Sequence, residues 1–374
     1  MADVVEINSA EQLEDYRLAW TALLVETPDA SLFQTLDWLL TYWRWFGSEQ
    51  RLRVLVIRSA GRPIGIVPLC VSVQRYQVGK VRVLTYPLSD WGTSYGPIGP
   101  DRTACLFAAL KHLQATPRDW DMLDLRWMGG DASRTSLCQA LQASGWAVSQ
   151  SNYQETSLIE LEPSDWPGYR SHLTKKWRHE VTRQQNRLRR LCQVQINRHR
   201  PVGAALGDAE PRWDLYEQCL SIAQQSWQGK STTGNTLSHS HVRGFLRDCH
   251  QIAAKLGMLD MMVLKLDGQP AAFQYNYVYD GRLFGLRMGY DRAFAQYGAG
   301  KALLGWMIEG SFRRGDRTID LGAGEYPFKR RFRTGTATSQ RYTYYPWSTL
   351  RGQGVRLTQW IKSRWPTERA LVQK

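Results

Sequence analysis

Two stretches of this chain repeat one order of elements, and that repetition limits the fold more than any other feature. Residues 53–71 (RVLVIRSAGRPIGIVPLCV) read as strand, tight turn, strand, with Ser59-Ala60-Gly61-Arg62-Pro63 as the turn between β-branched runs. Residues 261–279 (MMVLKLDGQPAAFQYNYVY) do the same around Asp267-Gly268-Gln269-Pro270, and Gly61 and Gly268 are 207 residues apart. Each hairpin is followed by a short apolar helix (106–113 and 303–312). A strand then follows, Met122-Leu123-Asp124-Leu125 or Thr318-Ile319-Asp320-Leu321, and then glycines. Asp124 and Asp320 lie 196 residues apart, so hairpin, helix, strand and glycines recur at nearly one offset. The pattern predicts an α/β (α+β) protein of two similar lobes.

The charge falls outside most of that repeat. The 374 residues hold 48 Lys+Arg against 34 Asp+Glu, a formal net charge of +14. Residues 170–200 carry ten Lys/Arg and one acid, Glu180, for a net of +9. Residues 313–374 carry fourteen against four, for a net of +10. The remainder is therefore slightly acidic. The first basic segment reads as a helical arm capped by Thr174, with Trp177, Val181, Leu188 and Leu191 as a sparse apolar stripe. Such charge suits an anionic partner: nucleic acid, a phosphorylated cofactor or an acidic membrane surface. The segment 358–365 reads as a short basic amphipathic helix, a candidate for membrane-surface contact at the inner membrane face or for packing Trp360 on the body.

Several classes are disfavoured. No apolar run approaches the ~20 residues of a spanning helix. The N-terminus is acidic (Asp3, Glu6, Glu11) and reads as no export signal. Six scattered cysteines without Cys-x-x-Cys suit reduced thiols in a cytoplasm. His239 and His241 have no Cys or carboxylate close by in sequence, so no metal site is expected. Neither a Walker A loop nor a dinucleotide fingerprint is present.

Chemistry concentrates in residues 284–333. Gly289-Tyr290-Asp291 leaves a strand, and Tyr297-Gly298-Ala299-Gly300-Lys301 opens an apolar helix. Small residues before a helix N-terminus let backbone N–H groups approach an anion. Gly298, Ala299, Gly300 and Lys301 are thus candidates for a pyrophosphate such as that of coenzyme A. The run Asp320-Leu321-Gly322-Ala323-Gly324-Glu325-Tyr326-Pro327-Phe328-Lys329-Arg330-Arg331-Phe332 follows. Asp320 lies mid-strand and opposite to its apolar neighbours, so it faces a site or a partner such as Lys329 or Arg331.

This stretch resembles the Gcn5-related N-acetyltransferase (GNAT) superfamily, and more narrowly the cellulose-biosynthesis acetyltransferase (CelD/BcsL) type, a relative of FemAB transferases. Further matching residues are Phe33 and Trp38, Ile64-Gly65, Pro68-Leu69, Leu88-Ser89-Asp90, Arg178, Arg183, Arg190, Ser226-Trp227 and Gly289-Tyr290-Asp291, over about residues 30–345. Where the superfamily has Arg or Gln three residues before its first loop glycine, Tyr297 stands before Gly300. The resemblance implies two tandem GNAT-like lobes, each a mixed, mostly antiparallel sheet with flanking helices. It places them at 1–165 and 201–346, joined by the basic arm 166–200 and followed by a basic tail 347–374.

It also implies an enzyme that moves an acyl group from acetyl-CoA or another acyl-CoA to an amine, without a metal. The acceptor would be an amino sugar or envelope precursor in polysaccharide or cell-envelope biosynthesis. Base candidates are Asp291, Glu325 and Asp320. Tyr326 and Tyr290 are candidates to protonate the leaving thiolate. Asp90, Trp227, Lys329 and Arg331 are candidates for the acceptor side. Two rival readings stand beside this one: a FemAB-like transferase using aminoacyl-tRNA, and a non-catalytic scaffold at an anionic surface.

Overall fold

The computed structural model describes residues 2–88, 91–92, 95–128, 131–162, 164–231 and 236–364. The chain divides into two units, 1–153 with 339–374 and 154–338. The first unit contains β1 (Ala2–Ile7), α1 (Arg17–Val25), α2 (Leu36–Phe46), β2 (Gln50–Ser59), β3 (Arg62–Tyr76), β4 (Gly79–Thr85), α3 (Arg102–Ala115), β5 (Met122–Met128) and α4 (Asp131–Ala143). β6 (Ser149–Glu160) leads into the second unit. There follow α5 (Trp166–His172), α6 (Lys175–Leu191), β7 (Val194–His199), α7 (Trp213–Gln225), α8 (Arg243–Lys255), β8 (Leu259–Leu266), β9 (Gln269–Tyr279), β10 (Arg282–Tyr290), α9 (Ala299–Arg314), β11 (Thr318–Ala323) and α10 (Pro327–Phe332). β12 (Gly335–Tyr344) returns the chain to the first unit, where α11 (Leu350–Arg364) follows.

The repeated sequence order becomes a repeated topology. The first unit's strands run β1-β2-β3-β4-β5-β12 and the second's β7-β8-β9-β10-β11-β6. All these neighbours are antiparallel except the fourth and fifth strands, β4 with β5 and β10 with β11. Parallel neighbours need a long crossover, and α3 and α9 supply it. Each unit completes its sheet with a strand that comes after the other unit's elements in sequence. β6 follows α4 but pairs with β11, and β12 follows α10 but pairs with β5. The two hairpin turns also match: Ala60 and Gly61 have φ of 48° and 77°, and Asp267 and Gly268 have 50° and 79°. Two consecutive positive φ values suit the right-handed twist of a two-residue hairpin, and glycine adopts the second without a Cβ penalty.

In the second unit α9 is buried almost all round: Ala299, Ala302, Leu303, Leu304, Trp306, Met307 and Ile308 are in the core. One side meets core residues of the sheet such as Met262, Ile319 and Leu321. α6 covers the other. The basic arm is therefore a layer of this unit rather than a free connector, and its residues 194–199 are strand, paired with β8. Trp177, Val181 and Leu188 face the core as the stripe requires, whereas Leu191 is exposed. The close approach needs a missing side chain: a Cβ on Gly305 would lie 2.9 Å from Val181 and 3.0 Å from Gln185.

Two arginines of the basic segment are consumed internally. Asp260, fully buried, accepts from Arg198 (3.0 Å) and Arg200 (2.7 Å). Arg200 also holds Asp316 at 2.6 and 2.9 Å, and Arg198 reaches Ser311 Oγ at 3.1 Å. This network ties β7 and β8 to the end of α9. Removing one partner of a buried pair leaves an uncompensated charge. Asp260→Asn should lower unfolding free energy by about 3–5 kcal/mol in urea titration, and an unchanged midpoint would show the network to be dispensable.

Candidate functional site

The site grows from the point where β10 and β11 separate. The two parallel strands pair over only three positions, Arg282 with Thr318, Leu283 with Ile319 and Phe284 with Asp320. Immediately beyond, the ladder between β10 and β9 shifts between Gly285 and Arg287, leaving Leu286 unpaired in a bulge. A Cβ on Gly285 would sit 2.7 Å from the Asp320 carbonyl oxygen, so the strands are in contact up to the split. Ligands of open sheets with parallel strands collect beyond the carboxyl ends of those strands, and Asp320 stands at that end.

Asp320 accepts one hydrogen bond, from Gly322 N–H at 2.6 Å, and is only partly buried. It makes no ion pair among the described residues. Loss of hydration pushes its carboxyl up to about 6, against the pull of that hydrogen bond and of the Arg282 and Lys329 cations. The duplicated position in the first unit has the opposite fate. Asp124, also the third residue of its strand, is fully buried and clamped by Arg126 (2.7 Å) and Arg341 (2.7 Å). One aspartate is neutralised by two guanidinium groups; the other is left able to exchange a proton near neutrality.

Lys329 is not the ion-pair partner of Asp320 that the sequence suggested. It is buried, and its Nζ donates to the carbonyls of Gly322 (2.8 Å) and Ala323 (2.7 Å), closing the turn after β11. Burial pushes its ammonium down to about 8. The Tyr326 ring lies 5.2 Å from the same Nζ and stacks beside Phe328. Tyr326 is about half exposed, as is Glu325. The latter is ion-paired with Arg330 and, at 3.7 Å, with Arg333, which hold its carboxyl below the usual range. A carboxylate held ionised by two arginines is a weak proton acceptor.

Asp291 caps the 3-10 turn Arg292–Tyr297, accepting Ala293 N–H at 2.9 Å. No contact among the described residues joins it to Asp320. Tyr290 is partly exposed, and its ring lies against Gly300, where a Cβ would come within 2.9 Å of Cδ1. Trp227 is likewise solvent-facing rather than in the core, at 55% exposure, and opens a 3-10 turn capped by Ser226. The neighbouring Gln228 donates to the Met288 carbonyl on β10 at 3.1 Å. Asp90 lies outside the described residues.

The glycine-rich opening of α9 is shared with the arm. Gly298 has φ of 66°, and a Cβ there would meet the Gln184 side chain at 2.7 Å. The Lys301 ammonium is ion-paired with Glu180 and lies 4.7 Å from the Trp177 ring centroid. Arg331 lies 4.8 Å from the same ring. Lys301 and Arg331 are thus gathered on one tryptophan of α6, and Lys301 is committed to a carboxylate. For an anionic ligand this leaves the N-terminal end of α9, with its dipole, and Arg331 as the attracting elements. Gln184 and Gln185 were not singled out in the sequence; their signal was the seven-residue spacing of Gly298 and Gly305 against the Trp177-Val181 stripe. Among the described residues no three His, Cys, Asp or Glu are grouped to hold a metal ion, and no helix is long and apolar enough to cross a membrane.

Comparison with known proteins bears on the fold. Residues 175–330 match the Acetyltransferase (GNAT) domain. No match to the chain is found among curated proteins. Among solved structures, the crystal structure of FemX superposes with a TM-score of 0.62 at 10% identity, covering 96% of this chain and 100% of that one. The structure of L-PGS from Bacillus licheniformis gives a TM-score of 0.54 at 14% identity, covering 96% and 99%. At these identities the likeness is one of fold. Residues 175–330 of the second unit are thus similar to the Acetyltransferase (GNAT) domain, and the whole chain shares its fold with FemX.

Proposed function

We propose that this chain is an N-acyltransferase whose second unit transfers an acyl group from acyl-CoA to an amine, with Asp320 as the general base. The observation that carries this reading is the contrast between Asp320 and Asp124. At the same place in the repeated topology, only Asp320 is left without an arginine clamp, with its carboxyl raised to about 6 at the split of two parallel strands. A base of that strength works near neutral pH.

Asp320 takes a proton from the acceptor ammonium. The freed amine attacks the thioester carbonyl, and the oxygen gains negative charge that the N–H of Leu286 in the bulge would stabilise. The tetrahedral centre collapses, the carbon–sulfur bond breaks, the thiolate takes a proton from Tyr290 or Tyr326, and the surplus proton on the attacking nitrogen restores that tyrosine as the amide forms. Gly298, Ala299, Gly300 and Arg331 would hold the phosphates of the donor. Lys301 contributes through its pairing with Glu180 rather than as a free cation. Trp227 and Asp90 remain on the acceptor side of this proposal, with Asp291 and Glu325 as supporting groups. The CelD/BcsL resemblance favours an amino sugar or envelope precursor as acceptor.

A second reading is supported by α6. Lys175, Lys176, Arg183, Arg187, Arg189 and Arg190 are exposed on it, suited to a phosphate backbone, which favours an aminoacyl-tRNA donor. Calorimetric titration with acetyl-CoA and longer acyl-CoAs, beside tRNA titration at several salt concentrations, separates the two. Acyl-CoA binding that is weakly salt-dependent supports the first reading; tRNA affinity that falls steeply with salt supports the second. Binding of neither, with cellular function intact in Asp320→Asn, would favour the scaffold.

Asp320→Asn should cut kcat by about 10²–10⁴-fold, and wild-type kcat/KM should rise with pH through about 6; a flat profile would remove Asp320 from the base role. The same substitution has an opposite effect on stability. The folded carboxyl binds its proton more tightly than the unfolded one, so wild-type stability falls as pH rises from about 4 to about 6 and then levels. Asp320→Asn should abolish that fall, gaining on the order of 2 kcal/mol at pH 7 in chemical denaturation.

A further inference from the structure

The C-terminal helix of the first unit presents an apolar ridge on a firmly docked base. α11 begins eight residues before the helix expected at 358–365. Its inner face is fixed. Val355 is fully buried with Val81, Val83 and Met122. Thr349 Oγ1 donates to the Asp121 carbonyl at 2.8 Å, and Gln353 Nε2 donates to the carbonyls of Tyr345 and Pro346 at 3.1 Å each. A Cβ on Gly352 would collide with the Asp121 carbonyl oxygen at 2.3 Å, so the helix backbone lies directly on the sheet's end.

The outer face is unlike an ordinary solvated helix face. Leu350 is 91% exposed, Leu357 56%, Trp360 46% and Ile361 41%. Leu350, Leu357 and Ile361 follow a seven-then-four spacing, which puts them in one line on the side opposite Val355. Trp360 borders that line, and Trp347, 79% exposed, precedes the helix. Every charged residue on α11 is basic: Arg351, Arg356, Lys362 and Arg364. Arg356 sits 5.1 Å from the Trp347 ring and Arg364 4.5 Å from the Trp360 ring. Two indoles at the border of an apolar line, each carrying an arginine, form the pattern of a helix lying at a lipid interface, with rings at headgroup depth and cations among phosphates.

We infer that α11 is a peripheral docking surface for an anionic phospholipid bilayer, with Leu350, Leu357 and Ile361 entering the acyl boundary and Arg356 and Arg364, beside the two tryptophans, engaging lipid phosphates. Charge decides for a bilayer over a neutral apolar partner: a helix whose charged residues are all basic, with Arg356 and Arg364 beside the ridge tryptophans, gains from a surface of fixed negative charge. The inference is independent of the donor assigned to the second unit.

The test is cosedimentation of the full chain with vesicles of phosphatidylglycerol and phosphatidylcholine, against vesicles of phosphatidylcholine alone. Binding should be confined to the anionic vesicles and weaken as salt is raised. Leu357→Asp with Ile361→Asp should reduce it at least tenfold while the thermal midpoint is unchanged, because both side chains face solvent. As a second variant, Arg356→Gln with Arg364→Gln should also weaken binding without touching the apolar line. Equal binding to phosphatidylcholine alone, no binding, or unaltered binding by both variants would overturn the inference. So would a wild-type dimer in sedimentation velocity that the Leu357→Asp, Ile361→Asp variant converts to monomer, since a second copy would then be the occupant.

Discussion

The arrangement of the second unit follows from a single parallel pairing. Three antiparallel strands, β8 to β10, can be joined by tight turns, but β11 lies parallel to β10 and so must be reached by a crossover. That crossover is α9. Its N-terminus is thereby brought to the end of β10, and its C-terminus delivers the chain back to start β11. The same requirement places α3 between β4 and β5 in the first unit. Where the two parallel strands diverge after three paired positions, Asp320 and the bulge at Leu286 lie at the split, and the α9 N-terminus meets Tyr290 at the end of β10.

What differs between the two units is electrostatic. Asp124 and Asp320 share a position in the topology but not an environment. Arg341, which clamps Asp124, comes from β12, the strand that the first unit receives from the far end of the chain. The second unit receives β6 instead, whose partner of Asp320 is Leu158. Asp124 stands opposite Thr343 and is held by Arg341 and by Arg126, two residues along its own strand, where the second unit has Gly322. Without either clamp the Asp320 carboxyl is dehydrated and offset only by the Gly322 N–H and the fields of Arg282 and Lys329, which raises its proton affinity. The cost is a native state that is less stable above pH 6 than an amide at that position would make it.

The basic segments illustrate how a charge count becomes a structure. Of the ten cations in 170–200, Arg198 and Arg200 are spent in a buried network with Asp260 and Asp316. In the second segment Lys329 is turned inward onto two carbonyls, and Arg330 and Arg333 pair with Glu325. Exposed cations of these segments lie on the outer face of α6 and along α11, and also at Arg313, Arg314, Arg317 and Arg331. A net charge identifies the class of partner; only the placement of each side chain shows which cations can still meet one.

Much of the architecture is legible in the sequence because it is local. Turn residues such as Ala60-Gly61 and Asp267-Gly268, the Thr174 cap and the alternation around Asp320 depend on neighbours a few positions away, so the lobes, the α6 helix and the candidate carboxylate are readable from the chain. Features set by distant residues are not. That Lys329 bonds backbone carbonyls instead of Asp320, that Lys301 pairs with Glu180 some 121 positions earlier, and that Leu191 and Trp227 face solvent are outcomes of packing. The sequence by itself determined two copies of an α/β unit, a basic helix and a conspicuous run from Asp320 to Phe332. Only the tertiary structure decided that Arg341 joins Arg126 on Asp124 while Asp320 makes no ion pair among the described residues, because that depends on which strand, drawn from which end of the chain, lies beside each.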